Sequence, residues 1–324
     1  MAEPAFQRIK LIYNPLSGRS DSSANLLQEV ISKLQENNFI PEVCLVEVGI
    51  NLFAILDDAL DRGIHLYVVC GGDGTIESVS QWIIGKPATL AIIPAGTQNN
   101  VALSLGIPNE VKAAVGLLRS GHRSKIDVGI AKCDNKKIPF LEACSIGLLS
   151  ALFNSADNLQ KGNLASLSDI FSTLVNFPSA QIRMTLEDSR EINLQGHATL
   201  VANLPYFGLN YRLTPSELLD DGILDVLVFT EFTKLGLVGN ILQNAGEPTL
   251  DERIRRYRTR KLKINSEPAM PVLADGTSLG NTPVTITVKR RALNVITGLP
   301  TQPHVRWGFI RNLPLFRFLG SKSN

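Results

Sequence analysis

The feature that most constrains this chain is an apolar run, Leu66–Cys70, that ends in Gly71-Gly72-Asp73-Gly74-Thr75 and passes at once into a helical pattern, Thr75–Ile84. A run without polar alternation reads as a strand buried on both faces, the kind found in a parallel sheet covered by helices. The same unit recurs on either side. Ile9–Tyr13 ends in the loop Asn14-Pro15-Leu16-Ser17-Gly18. An amphipathic helix is expected next, from about Ser23 to Asn37, with Leu26, Leu27, Val30, Ile31 and Leu34 on one face. Pro41–Val48 reads as strand and Leu52–Asp61 as helix, ended by Gly63. Thr89–Pro94 reads as another buried strand, and Ala95–Asn100 as a loop that opens a helix. Strands alternating with helices imply a parallel sheet with right-handed crossovers. Its loops then lie at the C-terminal ends of the strands, the edge where open α/β sheets bind ligands.

Near residue 126 the texture changes. Strand-like segments dominate at 126–132, 138–144, 180–187, 197–203, 223–229, 260–264 and 283–288, with one helical stretch at about 164–177. This is the pattern of an antiparallel β domain, and 292–297 reads as a last strand.

The chain has 324 residues, 44% of them hydrophobic, enough to bury a full core. Its net charge of +2 argues against a protein devoted to nucleic acid. Cys44, Cys70, Cys133 and Cys144 form no Cys-x-x-Cys pair, so neither a zinc site nor a redox pair is supported, and a reducing compartment fits. No signal peptide is expected, because Met1-Ala2-Glu3-Pro4 leads directly into the strand-like run Ile9–Tyr13. No transmembrane helix is expected, because no stretch of the required length is uninterruptedly apolar. The expectation is a cytoplasmic protein whose membrane contact, if any, is peripheral.

The chemistry concentrates in the loops. The glycines of Gly71–Thr75 are expected to let the backbone take positive φ and approach a phosphate closely. Exposed N–H groups and the helix N-terminus then favour an anion. Thr75 can cap that helix and donate to a phosphate. Asp73 beside phosphate makes sense if it holds a metal ion or orients a hydroxyl. The competing reading is a tight strand-to-helix turn. Asn14–Gly18 taken alone is an ordinary turn sequence. Pro94-Ala95-Gly96-Thr97-Gln98-Asn99-Asn100 places Thr97, Asn99 and Asn100 at a helix start, where they suit capping or ribose and phosphate contacts.

Taken in order, Asn14–Gly18 as N-P-x-S-G, Gly71–Thr75 as G-G-D-G-T and Pro94–Asn100 as P-x-G-T-x-N-N resemble the diacylglycerol kinase catalytic-domain family, which includes sphingosine, ceramide and bacterial lipid kinases. The resemblance continues through Val201–Gly208, Asp221-Gly222-Ile223-Leu224-Asp225-Val226 and Ala274-Asp275-Gly276, covering about residues 8 to 298. It implies an α/β nucleotide-binding domain over 1–126, a β-sandwich over 127–291, a returning segment 292–304 and an aromatic, basic tail 305–324. It implies ATP and Mg2+ as cofactors and a lipid hydroxyl, of diacylglycerol or sphingoid type, as acceptor. Carried over by position, Asn14, Pro15, Ser17 and Gly18 contact nucleotide. Gly71, Gly72, Asp73, Gly74, Thr75 and Thr97, with Asn99 and Asn100, hold phosphates and ribose. Asp275 lies across the cleft near the attacking hydroxyl, with Asp73 as the second catalytic carboxylate. A structural magnesium is implied on the Asp221 carboxylate and the carbonyls of Leu218 and Ile223; the competing reading there is a turn into the next strand.

The chain departs from the family pattern where proton transfer is at stake. Thr277 stands where the family has the glutamate often assigned as proton acceptor. After G-G-D-G-T the family's Ile-Asn-Glu is Ile76-Glu77-Ser78, and no threonine ends the second strand at Leu45–Val48. The alternatives kept open are a nucleotide-binding relative with little kinase activity and an NAD kinase, which would share only the glycine loop. Two basic stretches remain. Arg253, Arg255, Arg256, Arg258, Arg260, Lys261 and Lys263 read either as a solvated strand face or as an attraction to anionic lipid. Residues 305–319 read either as an interfacial membrane segment or as a tail docked on the body.

Overall fold

The computed structural model describes residues 5–18, 23–152, 172, 176–208, 211–213, 218–230, 232–233, 236 and 251–298. The helical stretch expected at 164–177 lies almost wholly outside the described residues, and the tail lies entirely outside them.

The first part alternates as expected: β1 (Gln7–Tyr13), α1 (Ser23–Glu36), β2 (Phe39–Leu45), α2 (Leu52–Asp61), β3 (Leu66–Gly71), α3 (Asp73–Ile83) and β4 (Thr89–Pro94), then α4 (Asn100–Ser104) and α5 (Val111–Ser120). The strands run parallel in the order β2-β1-β3-β4. Every residue of β3 is buried, which is why its sequence shows no alternation. Apolar stripes of α1, α2, α3 and α5 cover the sheet, with Val30, Leu34, Leu56, Val79 and Val115 fully buried.

Beyond α5 come β5 (His122–Cys133), β6 (Lys136–Phe140), β7 (Ala143–Gly147), β8 (Ala180–Leu186), β9 (Glu191–Gly196), β10 (Ala198–Ala202), β11 (Tyr206–Phe207), β12 (Tyr211–Arg212) and β13 (Leu224–Phe229). They are followed by β14 (Ile254–Thr259), β15 (Lys261–Glu267), β16 (Pro271–Ala274), β17 (Thr277–Asn281) and β18 (Val284–Thr297). One antiparallel sheet runs β14-β13-β10-β7-β16-β17. It packs on a face made by β5, β6, β8, β15 and β18. Ile146, Val201, Val226 and Val272 of the first sheet meet Ile182, Met184, Leu262, Ile264 and Ile286 of the second. This is a β-sandwich.

The two halves share a strand. The sequence suggested separate strands at 283–288 and 292–297, but β18 is one 14-residue strand. Its first half pairs with β15 and its second half lies beside β4, parallel to it, while β5 follows it along the other edge. A register shift between Lys289 and Leu293 bends it. Asp127 accepts from the Arg291 and Gly222 N–H groups at 2.6 and 2.5 Å and so ties that bend to the Asp221-Gly222 turn.

Candidate active site

Three loops meet at the C-terminal edge of the parallel sheet. Asn14 follows β1; its side-chain oxygen accepts from Leu16 N–H at 3.0 Å and its Nδ2 donates to Thr75 Oγ1 at 2.8 Å. Ser17 Oγ accepts from the Gly72 N–H at 3.1 Å. Gly18, at φ +73, lies so close to the next loop that a Cβ there would stand 2.6 Å from the Ala95 carbonyl oxygen. Gly72 and Gly96 face each other: a Cβ on Gly96 would come within 2.5 Å of Gly72 Cα.

Two expectations about the glycine loop change. Gly71, Gly72 and Gly74 do not take positive φ; Gly72 is extended at φ −91, ψ −179. A Cβ at position 72 would stand only 3.2 Å from Gly96 Cα, so the glycine serves close approach rather than an unusual φ. Nor does Thr75 cap the helix. α3 starts at Asp73 with Gly72 at the cap, so Thr75 sits inside the first turn, buried and bonded to Asn14.

These residues wall an open cavity of about 370 Å³ lined by Asn14, Ser17, Gly72, Asp73, Gly74 and Thr75, together with Val46, Leu52 and Ser78. The N-terminus of α3 contributes to its wall, and the helix dipole there suits an anion, with the Gly72 and Thr75 N–H groups already taken by Ser17 Oγ and the Gly72 carbonyl. Val46 and Leu52 give the cavity an apolar side that the motif reading missed, because single apolar residues carry no signal in sequence. Pro15 and Gly71 support the loops from outside this lining, and Thr97 is exposed on the loop after β4.

Asn99 and Asn100 turn inward. Asn99 is left-handed at φ 56 and braces its own loop: its Oδ1 accepts from Gly96 N–H at 2.9 Å and its Nδ2 donates to Gly96 O at 3.1 Å. Asn100 is buried; its Nδ2 donates to the Glu142 carboxylate at 3.2 Å and to Gly208 O at 2.8 Å, while its Oδ1 has no partner among the described residues. Asn100 thus ties the α/β half to the sandwich, while Asn99 shapes the loop before it.

Behind the cavity four carboxylates interact: Asp73, Glu77, Glu142 and Asp275. Asp73 accepts from the Asn100 and Val101 N–H groups, both at 3.2 Å, and so caps α4. Asp275, left-handed at φ 41, accepts from the N–H groups of Leu141, Glu142 and Ala143 at 2.5, 3.1 and 3.0 Å. Burial holds the Asp73 carboxyl above its usual range against these bonds. Burial, then repulsion from Asp275 and Asp73, raises Glu77 and Glu142. Burial also raises Asp275, despite its three N–H donors. Among the described residues no lysine or arginine offsets this charge.

Glu77 lies four residues after Asp73 on α3, hence on the same face, and that spacing could have flagged it. Glu142 had no local signal; it reaches the cluster only because β6 and β7 turn beside Asp275. Thr277 opens β17 and is exposed.

The expected magnesium set meets a competing cation. Asp221 Oδ2 pairs with Arg258 at 2.7 Å, its Oδ1 accepts from Ile223 N–H at 2.9 Å, and Arg258 also reaches Asp225 at 3.2 Å. The charge a metal would neutralise is met by the guanidinium, so the residues at Leu218, Asp221 and Ile223 fit that ion poorly. Among the described residues, no group of three or more His, Cys, Asp or Glu is arranged to hold a metal by itself. No described helix is long and apolar enough to cross a membrane.

The model of the diacylglycerol kinase catalytic domain matches residues 8–131, and that of the YegS C-terminal NAD kinase β-sandwich-like domain matches residues 147–297. A diacylglycerol kinase of Staphylococcus saprophyticus is 26% identical over 300 residues, covering 90% of this chain and 95% of its own. An uncharacterized protein of Synechocystis sp. is 24% identical, covering 88% of this chain and 69% of its own. A crystal structure of a candidate diacylglycerol kinase from Bacillus anthracis superposes with a TM-score of 0.72 at 25% identity, covering 90% of this chain and 97% of that one.

Proposed function

The chain belongs to the diacylglycerol kinase catalytic-domain family, and on that premise we propose that it transfers the γ-phosphoryl group of ATP to a lipid hydroxyl. The observation that carries this reading is the convergence of the Asn14–Gly18 and Gly71–Thr75 loops on one cavity, with the third loop packed on Gly72 through Gly96, the N-terminus of α3 in the cavity wall and further carboxylates behind it. The nucleotide phosphates then lie against Gly72, Gly74 and the α3 N–H groups, with Asn14 and Ser17 orienting them and Val46 and Leu52 flanking the base. Phosphoryl transfer asks the protein mostly to position groups and neutralise charge.

The carboxylate cluster fits a hard divalent cation in donor chemistry, since it offers oxygens only and lacks a basic partner. Magnesium usually takes one or two carboxylates, with water and phosphate oxygens completing its shell. Asp73, which lines the cavity, would hold it, and the ion would neutralise phosphate charge. Asp275 fixes the 141–143 backbone at the cleft and stands nearest the place assigned to the acceptor hydroxyl. Burial pushes its carboxyl up to about 7, which lets it take a proton near neutral pH, whereas Glu77, pushed up to about 10, already holds one there. The exposed Thr277, which brings no carboxylate, favours a second reading: a nucleotide-binding relative with little activity.

Incubating the purified protein with γ-labelled ATP, Mg2+ and, separately, diacylglycerol, sphingoid bases and NAD separates the readings. Label in a lipid is expected. Label in NAD alone, or nucleotide binding without transfer to any acceptor, would rule the lipid-kinase reading out.

A further inference from the structure

The basic run that stood out in the sequence divides in the fold. Arg253 pairs with Asp251 at 2.7 Å, Arg256 donates to Leu213 O at 2.7 Å, and Arg258 pairs with Asp221. Those cations are structural. Lys263 is different: it points outward from β15 into a row fixed by strand register. Reading across the outer face of the sandwich, Lys137 on β6 stands opposite Lys132 on β5, Lys132 opposite Thr285 on β18, and Thr285 opposite Lys263. The three lysines are exposed, and among the described residues none has a carboxylate partner. Lys261 and Arg183 extend the same face, where Glu191, opposite Thr185, is the acid in register, and the exposed Asp134 lies at the β5–β6 turn.

A directly opposed pair of like charges works against sheet pairing. Lys132 and Lys137 therefore fit a surface that meets an anion. The strands lead from this row towards the carboxylates. Two residues on, about 7 Å along the strand, the same face carries Ile130 and Pro139, both half-buried. Further on come Val128 on β5 and Leu141, just past the end of β6, both buried. Pro139, Val128 and Leu141 line the small crevice against α3 that also contains Glu77 and Asp275. Cations, an apolar strip and the candidate reaction centre thus follow one another along β5 and β6.

We propose that the row Lys132, Lys137 and Lys263 docks this protein on an anionic phospholipid surface and presents the β5–β6 edge of the cleft to the bilayer. The order along the strands is that of a lipid interface, with charge for headgroups first and apolar contact next. The inference deepens the lipid-kinase reading and rests on it for the orientation, but the docking itself is measured without ATP.

The test is sedimentation of the full chain with vesicles of phosphatidylcholine alone and of phosphatidylcholine mixed with phosphatidylglycerol. The parent is expected on the mixed vesicles and not on the neutral ones. Lys132→Glu/Lys137→Glu is expected to lower that binding by roughly tenfold or more, since each cation near an anionic surface counts several-fold. Lys33→Glu/Lys112→Glu, the same charge change on α1 and α5, should leave it unchanged. An unaltered thermal melt shows that the variants fold. Parental binding by Lys132→Glu/Lys137→Glu, equal loss in the control pair, or no anionic preference in the parent would each overturn the proposal. Phosphorylation of a short-chain lipid in neutral micelles, measured alongside, tests the kinase reading separately: activity there with failed docking sinks only the surface, and docking without activity sinks only the kinase.

Discussion

Gly74 lies in the first turn of α3 and Gly96 in the loop after β4, and a side chain at each would meet different surroundings. Around a Cβ at Gly74 nothing lies within 4 Å, and its φ is ordinary. A side chain there meets only the cavity. Gly74→Val is expected to weaken ATP binding tenfold or more, about 1.4 kcal/mol, with the melting temperature little changed. Gly96→Ala meets the Gly72 backbone at 2.5 Å, so it should destabilise the fold by about 1–3 kcal/mol. Titration with nucleotide and a thermal melt on both variants check this; equal affinity in folded Gly74→Val would place the phosphates elsewhere. At the same scale, Thr277→Glu adds a carboxylate at the mouth of β17. General bases contribute about 10²–10⁴-fold, so a gain of roughly tenfold in lipid phosphorylation is expected if the parent is slowed by its threonine. Asp275→Asn should abolish whatever activity is present, and it removes one of the two oxygens that hold Leu141, Glu142 and Ala143. A rapid parent indifferent to Asp275→Asn would put the chemistry on another loop.

α3 carries Asp73 at its start and Glu77 one turn later, and packs against β6 near Asp275. The element therefore places carboxylates where the fold resists ionising them. The sign follows from the raised value of Glu77, whose ordinary pKa is 4.5. Above that pH the unfolded chain has released a proton that the folded chain still holds, so stability falls as pH rises. The stabilising arm is the acid side, and it fades towards alkali. Glu77→Gln should flatten this dependence and raise stability at pH 8 by on the order of 1 kcal/mol, less than an unscreened buried charge would give because Glu77 is partly exposed. Melting curves from pH 5 to about 9 test it; a parent whose stability climbs over that range would refute the electrostatic reading. Mg2+ with nucleotide should raise the parent's melting temperature more at pH 8 than at pH 5, because only ionised carboxylates attract the ion.

For the whole molecule, β18 matters most. Leu293, Val295 and Ile296 belong to the α/β core, whereas Val284 and Ile286, on the same strand, belong to the sandwich core. A chain ending at residue 283 would leave an uncovered edge on β4 and a gap in both cores. It is expected to be degraded by protease within the time that leaves the full chain intact, and the full chain to unfold in one transition. Independent folding of that truncated chain would contradict this. The sequence by itself determined the layering, because period and glycine punctuation are local: β3, α2 and β4 were readable within a residue, and the three loops followed from their place after strands. It also marked Asp73 and Asp275 as candidates, because they sit inside recognisable motifs. Tertiary structure alone decided that Asn99 braces its own loop and Asn100 reaches Glu142 and Gly208, that Glu142 joins the acidic cluster, that Arg258 takes the Asp221 carboxylate, and that Lys132, Lys137 and Lys263 form one row. All but the Asn99 contact depend on residues distant in sequence brought together by strand pairing, and a side chain's partner, unlike its periodicity, is not written in its neighbours.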